Sequence, residues 1–419
     1  MITRYYNAKI LYNNEIVEGD FVVYNNLIAS IGAPVMGLMP DKEVDVKGNL
    51  ILPTFKNGHT HSPRIVLRSL SKESIDLGYY QNVERVLNDD AIYWLTKLAI
   101  LEYLKNGIGT VSDMYNKLDP IMAASNESGI RNILMHMINN DFAKGKEIVS
   151  VYEHGLETYN SGNCKYRIGL HSEGAADYTL LKEISALSKI DGQPVFAHLS
   201  ESKVEVQKCI EKYGKTQVAL FRDLGLFNSG GTVFHMVEPT EEDIQILSDM
   251  SVNVISCPSA NAGSGNGICP INRLRAKGVV VGLGTDGPIA NYSYDMFNEM
   301  RMAYNLQKIK YGDKHAISNI DVLNMATVDG AKALGEKIYP GLGVNSLADF
   351  IIVDIKNIER IPGKNLLENV LMCANGSNVL TTVVNGKVLY DSGNYYIGED
   401  VDKIYSMCEM LVSDILKRL

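Results

Sequence analysis

Short apolar runs, set apart by stretches with a different period, dominate the chain. In residues 1 to 52 the runs are strand-like. Ala8-Lys9-Ile10-Leu11-Tyr12, Phe21-Val22-Val23-Tyr24 and Leu27-Ile28-Ala29-Ser30-Ile31 are parted by Asn13-Asn14 and Asn25-Asn26, a residue type that tolerates tight-turn backbone. The same texture returns at 349–354 and at 382–390, the latter around an Asn385-Gly386 hairpin turn. The middle alternates instead. Apolar runs at 51–55, 110–114, 130–138, 166–170, 194–197, 232–234, 253–256 and 279–283 are separated by helix-period stretches such as 89–105 and 240–250. The second of these opens with Thr240 and Asp243 spaced as a capping box. Eight strands alternating with helices over roughly 290 residues are the count of a TIM barrel.

The predicted fold is therefore α/β: a (β/α)8 barrel over residues 53–344, with a small β-sandwich domain formed from both chain ends, 1–52 and 345–395. A C-terminal helix is predicted over 396–419, where Ile404, Met407, Met410, Leu411 and Ile415 recur at helical spacing. A doubly wound sheet would offer a glycine-rich phosphate turn after its first strand, and the sequence has none there.

Composition narrows the function. Of 419 residues, 46% are hydrophobic and 21% charged, the balance of a globular protein with a large core. With 40 basic residues against 49 acidic, the net charge of −9 argues against a nucleic-acid or anionic-membrane surface, which needs clustered Lys and Arg. Cys164, Cys209, Cys257, Cys269, Cys373 and Cys408 are scattered without a CxxC pair, so no disulfide framework is expected. The first residues have no apolar core of a leader, and no run approaches the roughly 18 apolar residues of a membrane span. A cytoplasmic location, a small-molecule substrate, and no nucleic-acid or membrane partner are the expectations.

The candidate chemistry lies where the strands end. His59 and His61 follow the first barrel run, His136 closes the third, and His171 lies just past the fourth. His198 and Glu201 follow the fifth, His235 the sixth and Asp286 the eighth. Of the eight histidines only His154 and His315 fall elsewhere. One histidine is most often a surface or core residue, but six at strand ends would meet on one face of a barrel.

His59-Thr60-His61 is an i, i+2 pair, so an extended segment points both rings the same way. With His198 and Asp286 it offers three nitrogens and one carboxylate oxygen, a set suited to zinc, or to iron(II), with a position left for water. Such an ion lowers the pKa of bound water toward ~7. Glu201, three residues after His198, is placed to carry protons to the leaving side; otherwise it is a carboxylate favoured by a helix N-terminus. His235 could hold the water and share its proton with Asp286, which would otherwise be a turn residue. No lysine lies in the fourth run, where Ile168-Gly169-Leu170 leads straight to His171. One metal rather than a lysine-bridged pair is expected.

These residues also carry a family resemblance. The HxH, His198-Leu199-Ser200-Glu201, Phe234-His235-Met236-Val237-Glu238-Pro239 and Gly282-Leu283-Gly284-Thr285-Asp286-Gly287-Pro288 resemble the amidohydrolase superfamily. The branch they resemble holds the mononuclear 5′-methylthioadenosine/S-adenosylhomocysteine deaminases and the chlorohydrolase-like enzymes. The match runs along nearly the whole chain and includes Asp295-Met296-Phe297-Asn298-Glu299-Met300-Arg301 and Ala348-Asp349-Phe350-Ile351-Ile352-Val353-Asp354. The resemblance implies His59, His61, His198 and Asp286 as ligands of one divalent ion. It implies Glu201 as the proton shuttle to the ring nitrogen, and His235 with Asp286 as the groups activating water. For an adenosine-like substrate, attack at C6 and protonation at N1 would release ammonia. Glu84 would grip the ribose hydroxyls, which an ionised carboxylate can accept in pairs; otherwise it is a solvated charge. His171 would contact base or sugar, and His136 stands where an arginine for an amino-acid carboxylate is expected. Enzymes of this kind are commonly homo-oligomers.

The sequence also departs from the family pattern. Cys257 replaces an imidazole, Ala262-Gly263-Ser264-Gly265 replaces larger residues, and a Trp-Leu segment near the ribose is missing, with Tyr79 and Tyr80 nearby. The one tryptophan, Trp94, falls in a helical stretch and reads as core. These departures favour a smaller 5′-substituted adenosine over S-adenosylhomocysteine. The alternative is another heterocycle, such as guanine, a pterin or a chloro-triazine, in which case Glu84 would be idle. A barrel kept only as a scaffold would have lost ligands, and here all four remain with Glu201.

Overall fold

The computed structural model describes every residue except 35, 36, 38, 71–76, 337–340, 357, 359–364 and 419. The side chains of 69, 70, 77–81, 289 and 290, with Tyr79 and Tyr80 among them, also lie outside the described residues. The chain ends build one sheet. Strands β1 (Ile2–Tyr12), β2 (Glu15–Tyr24), β3 (Leu27–Ile31), β4 (Lys42–Asp45) and β5 (Leu50–Pro53) come from the N-terminal side. They join β14 (Phe350–Val353), β15 (Val379–Val384), β16 (Lys387–Asp391) and β17 (Asn394–Tyr395) in the order β17-β16-β15-β14-β5-β1-β2-β3, with β4 beside β1. The first half of β1 pairs with β4 and its second half with β5, and a register shift separates Tyr5 from Ala8. Asn7 sits there at φ 54°, and a bulge of this kind bends a strand. The bent sheet encloses its own cluster, in which Phe350 meets Tyr5 and Phe21 edge-on at 5.1 and 4.9 Å.

Between them β6 (Phe55–Thr60), β7 (Ile108–Tyr115), β8 (Arg131–His136), β9 (Cys164–Ser172), β10 (Val195–Leu199), β11 (Gly231–His235), β12 (Val252–Ser256) and β13 (Val281–Leu283) form a parallel barrel in chain order. Met114, Ile133, Met135, Phe196, Phe234 and Ile255 fill its interior. Their neighbours Val111, Leu134, Ala197, Val233 and Val254 face the surrounding helices, the alternation a barrel wall requires. The seam between β13 and β6 is held by residues of the site itself. Asp286 N–H donates to the His59 carbonyl at 2.9 Å. The Asn57 amide donates to Thr285 Oγ1 at 2.7 Å and accepts from Thr285 N–H at 2.9 Å.

The first barrel strand corrects the sequence reading. Run 51–55 is barrel only at its last residue: Leu50–Pro53 belongs to the chain-end sheet, paired with β1 and β14, and the chain enters the barrel at Phe55. The true strand, Phe-Lys-Asn-Gly-His-Thr, is buried along its whole length yet mostly polar, because the barrel's charged floor and its site occupy its inner face. Lys56 is one of the floor residues, 3% exposed, with Nζ 3.7 Å from Glu336 and 3.8 Å from Asp349. Arg131 also pairs with Asp349. Charges this deep are tolerable only when matched, and here they tie the barrel floor to the entry of β14.

The helix-period stretches form helices, the last of them starting at Val401 rather than at 396. Helix Asp89–Lys105 is capped by the Asn88 side chain, and Thr240 with Asp243 makes a reciprocal capping box. Trp94 is 7% exposed and donates to Asp90. The last helix, Val401–Arg418, buries Ile404, Cys408 and Ile415 and lies on helix Asp89–Lys105 of its own chain, with Cys408 against the Trp94 carbonyl. Met410 faces outward, 65% exposed. Among the described residues all six cysteines are free, and no helix is long and apolar enough to cross a membrane.

Candidate active site

Two local devices aim the side chains at the centre of the barrel mouth. On β6 the register against β7 slips between Asn57 and Thr60, giving β6 one extra residue there. Gly58, within the slip, faces the interior at Ile255. Past it His59 and His61 face inward, while Thr60 turns outward to the Tyr103 hydroxyl at 2.9 Å. The same hydroxyl meets Ser62 Oγ at 2.9 Å, and the buried Asp113 carboxylate accepts Ser62 N–H at 3.0 Å, so the turn after His61 is fixed from behind.

The second device is left-handed backbone. His235, Met236, Ser200 and Asp286 have φ of 73°, 46°, 51° and 59°, each costing roughly 1–2 kcal/mol for a non-glycine residue. At β11 this overrides the alternation. Phe234 already points inward, yet the His235 ring also turns in, its centroid 5.5 Å from His198 and 5.6 Å from His59.

The result is a compact donor set. One donor atom each from His59, His61 and His198 lies within 4.8 Å of the others, as does one each from His59, His235 and Asp286. His59 Nε2 stands 3.1 Å from His198 Nε2 and 3.5 Å from Asp286 Oδ1, which is 3.4 Å from His61 Nε2. Backbone carbonyls set the tautomers. His61 Nδ1 is 2.6 Å from the Met114 carbonyl and His198 Nδ1 is 2.6 Å from that of His171. A carbonyl only accepts, so both Nδ1 atoms carry hydrogen and both Nε2 lone pairs face the centre. His59 lies flat on Phe234, centroids 4.0 Å apart, with its buried Nδ1 unpartnered among the described residues.

Burial holds all three imidazoles below their ordinary range, His61 and His198 well below, so they are neutral at pH 7. Burial opposes ionisation of Asp286, but its contacts with His59, His61 and His235 outweigh this and keep the carboxyl well below the usual range. Electron-rich atoms converging on one point fit a divalent cation and little else, since a neutral core would be repelled by its own lone pairs.

Beside this set stand the proton-handling groups. Glu201, part-exposed, has Oε2 3.8 Å from His235 Nε2. Burial would lower His235, but the carboxylates of Glu201 and Asp286 outweigh it and raise its pKa. His171 faces inward from β9, its ring 5.1 Å from His198, and burial lowers it to about 4.

Glu84, on helix Leu77–Val86, is engaged by a residue that sequence reasoning passed over: Arg64 Nε donates to Glu84 Oε1 at 3.0 Å. Arg64 lies three residues past His61 and is 8% exposed. A basic residue on the turn that follows an HxH was the available signal.

His136 does not join the cluster. On β8 the inward positions are Ile133 and Met135, with Met137 continuing the series, so His136 projects outward. Its ring sits among Phe142, Tyr159 and Tyr166, with Nδ1 2.9 Å from the Tyr166 hydroxyl, and burial lowers it to about 3. On the cavity side of this strand end stands Met137, whose sulfur is 3.4 Å from Arg64 Nη2. Cys257 packs in the barrel-core cluster, where burial raises its thiol well above the ordinary range.

Two further residues were missed. Asn261 Oδ1 accepts from His235 Nδ1 at 2.9 Å, and Asn266 Nδ2 donates to Glu201 Oε1 at 3.2 Å. Close packing at the seam makes a separate prediction. A Cβ at Gly284 would lie 2.7 Å from His59 N and 2.9 Å from Ile255. Gly284→Ala should therefore cost about 1–3 kcal/mol and lower metal occupancy, as thermal unfolding and metal analysis would show. An unchanged Tm and metal content would mean the seam has slack.

A model described as the amidohydrolase family matches residues 50–389. The chain is 31% identical to the 5-methylthioadenosine/S-adenosylhomocysteine deaminase of Caldanaerobacter subterraneus subsp. tengcongensis, over 98% of this chain and 97% of that one. In fold it is similar to an adenosine deaminase from Xanthomonas campestris with bound zinc, with a TM-score of 0.91 at 23% identity over 99% and 98% of the two chains. It is also similar to the atrazine chlorohydrolase of Arthrobacter aurescens complexed with zinc, with a TM-score of 0.88 at 19% identity over 98% and 100%.

Proposed function

We propose that this chain, which belongs to the amidohydrolase family, is a metal-dependent deaminase that replaces the 6-amino group of an adenosine-type nucleoside by oxygen and releases ammonia. The reaction class is hydrolysis of a C–N bond. The observation that carries the reading is the convergence of three neutral imidazoles, with Asp286 3.5 Å from His59 and 3.4 Å from His61, and with Glu201 3.8 Å from His235 beside them. The adenosine-type substrate is supported by the end-to-end likeness to a methylthioadenosine/S-adenosylhomocysteine deaminase.

His59, His61, His198 and Asp286 would hold the cation, zinc by the neighbours that carry it and by the nitrogen-rich donor set. When bound, it supplies the Lewis acidity that makes water a nucleophile near neutral pH. The remaining work falls to the protein. His235 Nε2, its Nδ1–H spent on Asn261, accepts from the attacking water and aims it at C6. Asp286 shares the released proton with His235. Glu201 would take one proton of the water and give it to N1 of the ring, then take the second, released through His235 and Asp286 as the carbonyl forms, and pass it to the departing amine, so that every group ends as it began. Water and amine enter; carbonyl and ammonia leave. His171 borders the space beside His198, and Glu84, held by Arg64, would accept from the ribose hydroxyls.

Ammonia release measured across methylthioadenosine, S-adenosylhomocysteine, adenosine, 5′-deoxyadenosine, guanine and a pterin tests the reading. Fast release from any adenosine derivative is expected, and release only from guanine or the pterin would overturn it. Glu84→Ala should lower kcat/KM for nucleosides about 10- to 100-fold, the worth of hydrogen bonds to a charged group, and leave free adenine nearly untouched. Glu84→Gln, which still accepts from Arg64, should recover part. Equal effects on nucleoside and base would remove the ribose role. One observation favours the second reading, a deaminase or chlorohydrolase of another heterocycle: a Glu84 already engaged by Arg64 needs no ribose to satisfy it.

A further inference from the structure

The segment after β12 bears on both proton-handling groups. Helix Pro258–Gly263 begins against Glu299, whose Oε2 accepts Ser259 N–H at 3.0 Å. Glu299 is 1% exposed, and burial pushes its carboxyl up to about 8, so it is a fixed internal post rather than a solvated charge. From this anchored helix Asn261, also 1% exposed, reaches His235 Nδ1 at 2.9 Å. Its carbonyl accepts Asn266 N–H at 2.9 Å, closing the segment on itself. Asn266 Nδ2 then reaches Glu201 Oε1 at 3.2 Å. The far end is seated as well: a Cβ at Gly267, where φ is +124°, would lie 2.9 Å from Val237. Val237 and Glu238 N–H in turn donate to the Ser200 carbonyl at 2.8 and 3.1 Å, next to Glu201.

We propose that the Asn261–Asn266 segment is a positioning loop for proton transfer, in which Asn261 presents His235 Nε2 to the water and Asn266 assigns the work of Glu201 to a single oxygen. An amide N–H only donates, so Glu201 Oε1 must stay an acceptor while Asn266 holds it. Oε2, 3.8 Å from His235 Nε2, is left as the oxygen that takes and gives the proton. Glu201 is part-exposed on a turn and would otherwise rotate its carboxyl freely, and misaligned proton carriers lose much of their effect. The inference rests on the shuttle role of Glu201 proposed above.

The test is a set of Asn266 variants assayed for ammonia release on whichever nucleoside of the panel the wild type turns over fastest, with Glu201→Gln beside them. Asn266→Ala should lower kcat about 10-fold with little change in KM. Asn266→Asp is isosteric but replaces the donor by a second carboxylate facing Glu201, and should lower kcat at least about 100-fold. Asn266→Ser keeps a short donor and should recover part of the alanine loss. A packing role predicts the reverse order, with the isosteric aspartate mildest. Asn266→Ala placed in Glu201→Gln should cost nothing further, because the group it positions is already disabled.

If Glu201→Gln is inactive but Asn266→Asp works like wild type, the loop proposal is overturned and the shuttle stands. If Glu201→Gln keeps full activity, or the wild type releases ammonia from no nucleoside, the reading beneath it falls.

Discussion

Glu201→Gln is expected to reduce ammonia release about a thousandfold or more, with metal content unchanged. The size follows from what the residue is asked to do. A positioned acid–base group contributes about 10²–10⁴-fold, and Glu201 would serve the reaction twice, carrying one of the water's protons to the ring and the other to the amine. Glutamine keeps the shape and the acceptor oxygen but has no proton to cycle. Glu201 is also absent from both groups of converging donors, so its loss should leave the cation in place. Metal analysis and kcat, measured on the same preparation, separate the roles. Lost metal would make Glu201 a ligand, and unchanged turnover would remove it from the mechanism.

The largest effect should come from the donor set itself. His61→Ala or His198→Ala takes away a lone pair aimed by a backbone carbonyl, and neighbouring donors cannot replace it without moving strand ends held in left-handed backbone. Activity should fall about four orders of magnitude or more, since water would be left with its bulk acidity. Metal occupancy should fall with it. Stability links to the same ion: at a free concentration one hundred times Kd, a cation that binds only the folded chain contributes about 2.7 kcal/mol. Chelation should lower Tm in the wild type and much less in either variant. Equal Tm shifts in wild type and variants would place the cation elsewhere.

Much of the site was legible because its residues follow barrel strands, and a parallel barrel gathers all such ends on one face. His59, His61, His198, His235 and Asp286 could be placed together on that ground, before any coordinate. The failures are instructive. Run 51–55 read as the first barrel strand because it is apolar, whereas the real one carries Lys56, Asn57, His59 and Thr60 and so hides its strand character. His136 sits at a strand end but on the outward parity of β8, and position along a strand says nothing about parity until a neighbour such as Met135 is placed. His235 has the outward parity too, and points inward only because its backbone turns left-handed. No local residue pattern announces that.

Arg64, Asn261 and Asn266 were missed for a common reason. Each acts through a contact with a residue remote in the chain: Arg64 with Glu84, Asn261 with His235, and Asn266 with Glu201. Side chains of that type and spacing are ordinary on turns and short helices, so only the fold gives them meaning.

Cation-dependent C–N hydrolysis at one centre underlies every role assigned to these residues. The most direct measurement is ammonia release from methylthioadenosine and adenosine by the wild-type protein as loaded, after chelation, and after return of zinc. The expected result is release by the loaded protein, its loss on chelation together with a lowered Tm, and recovery of both with zinc. Undiminished release from fully stripped protein would contradict it.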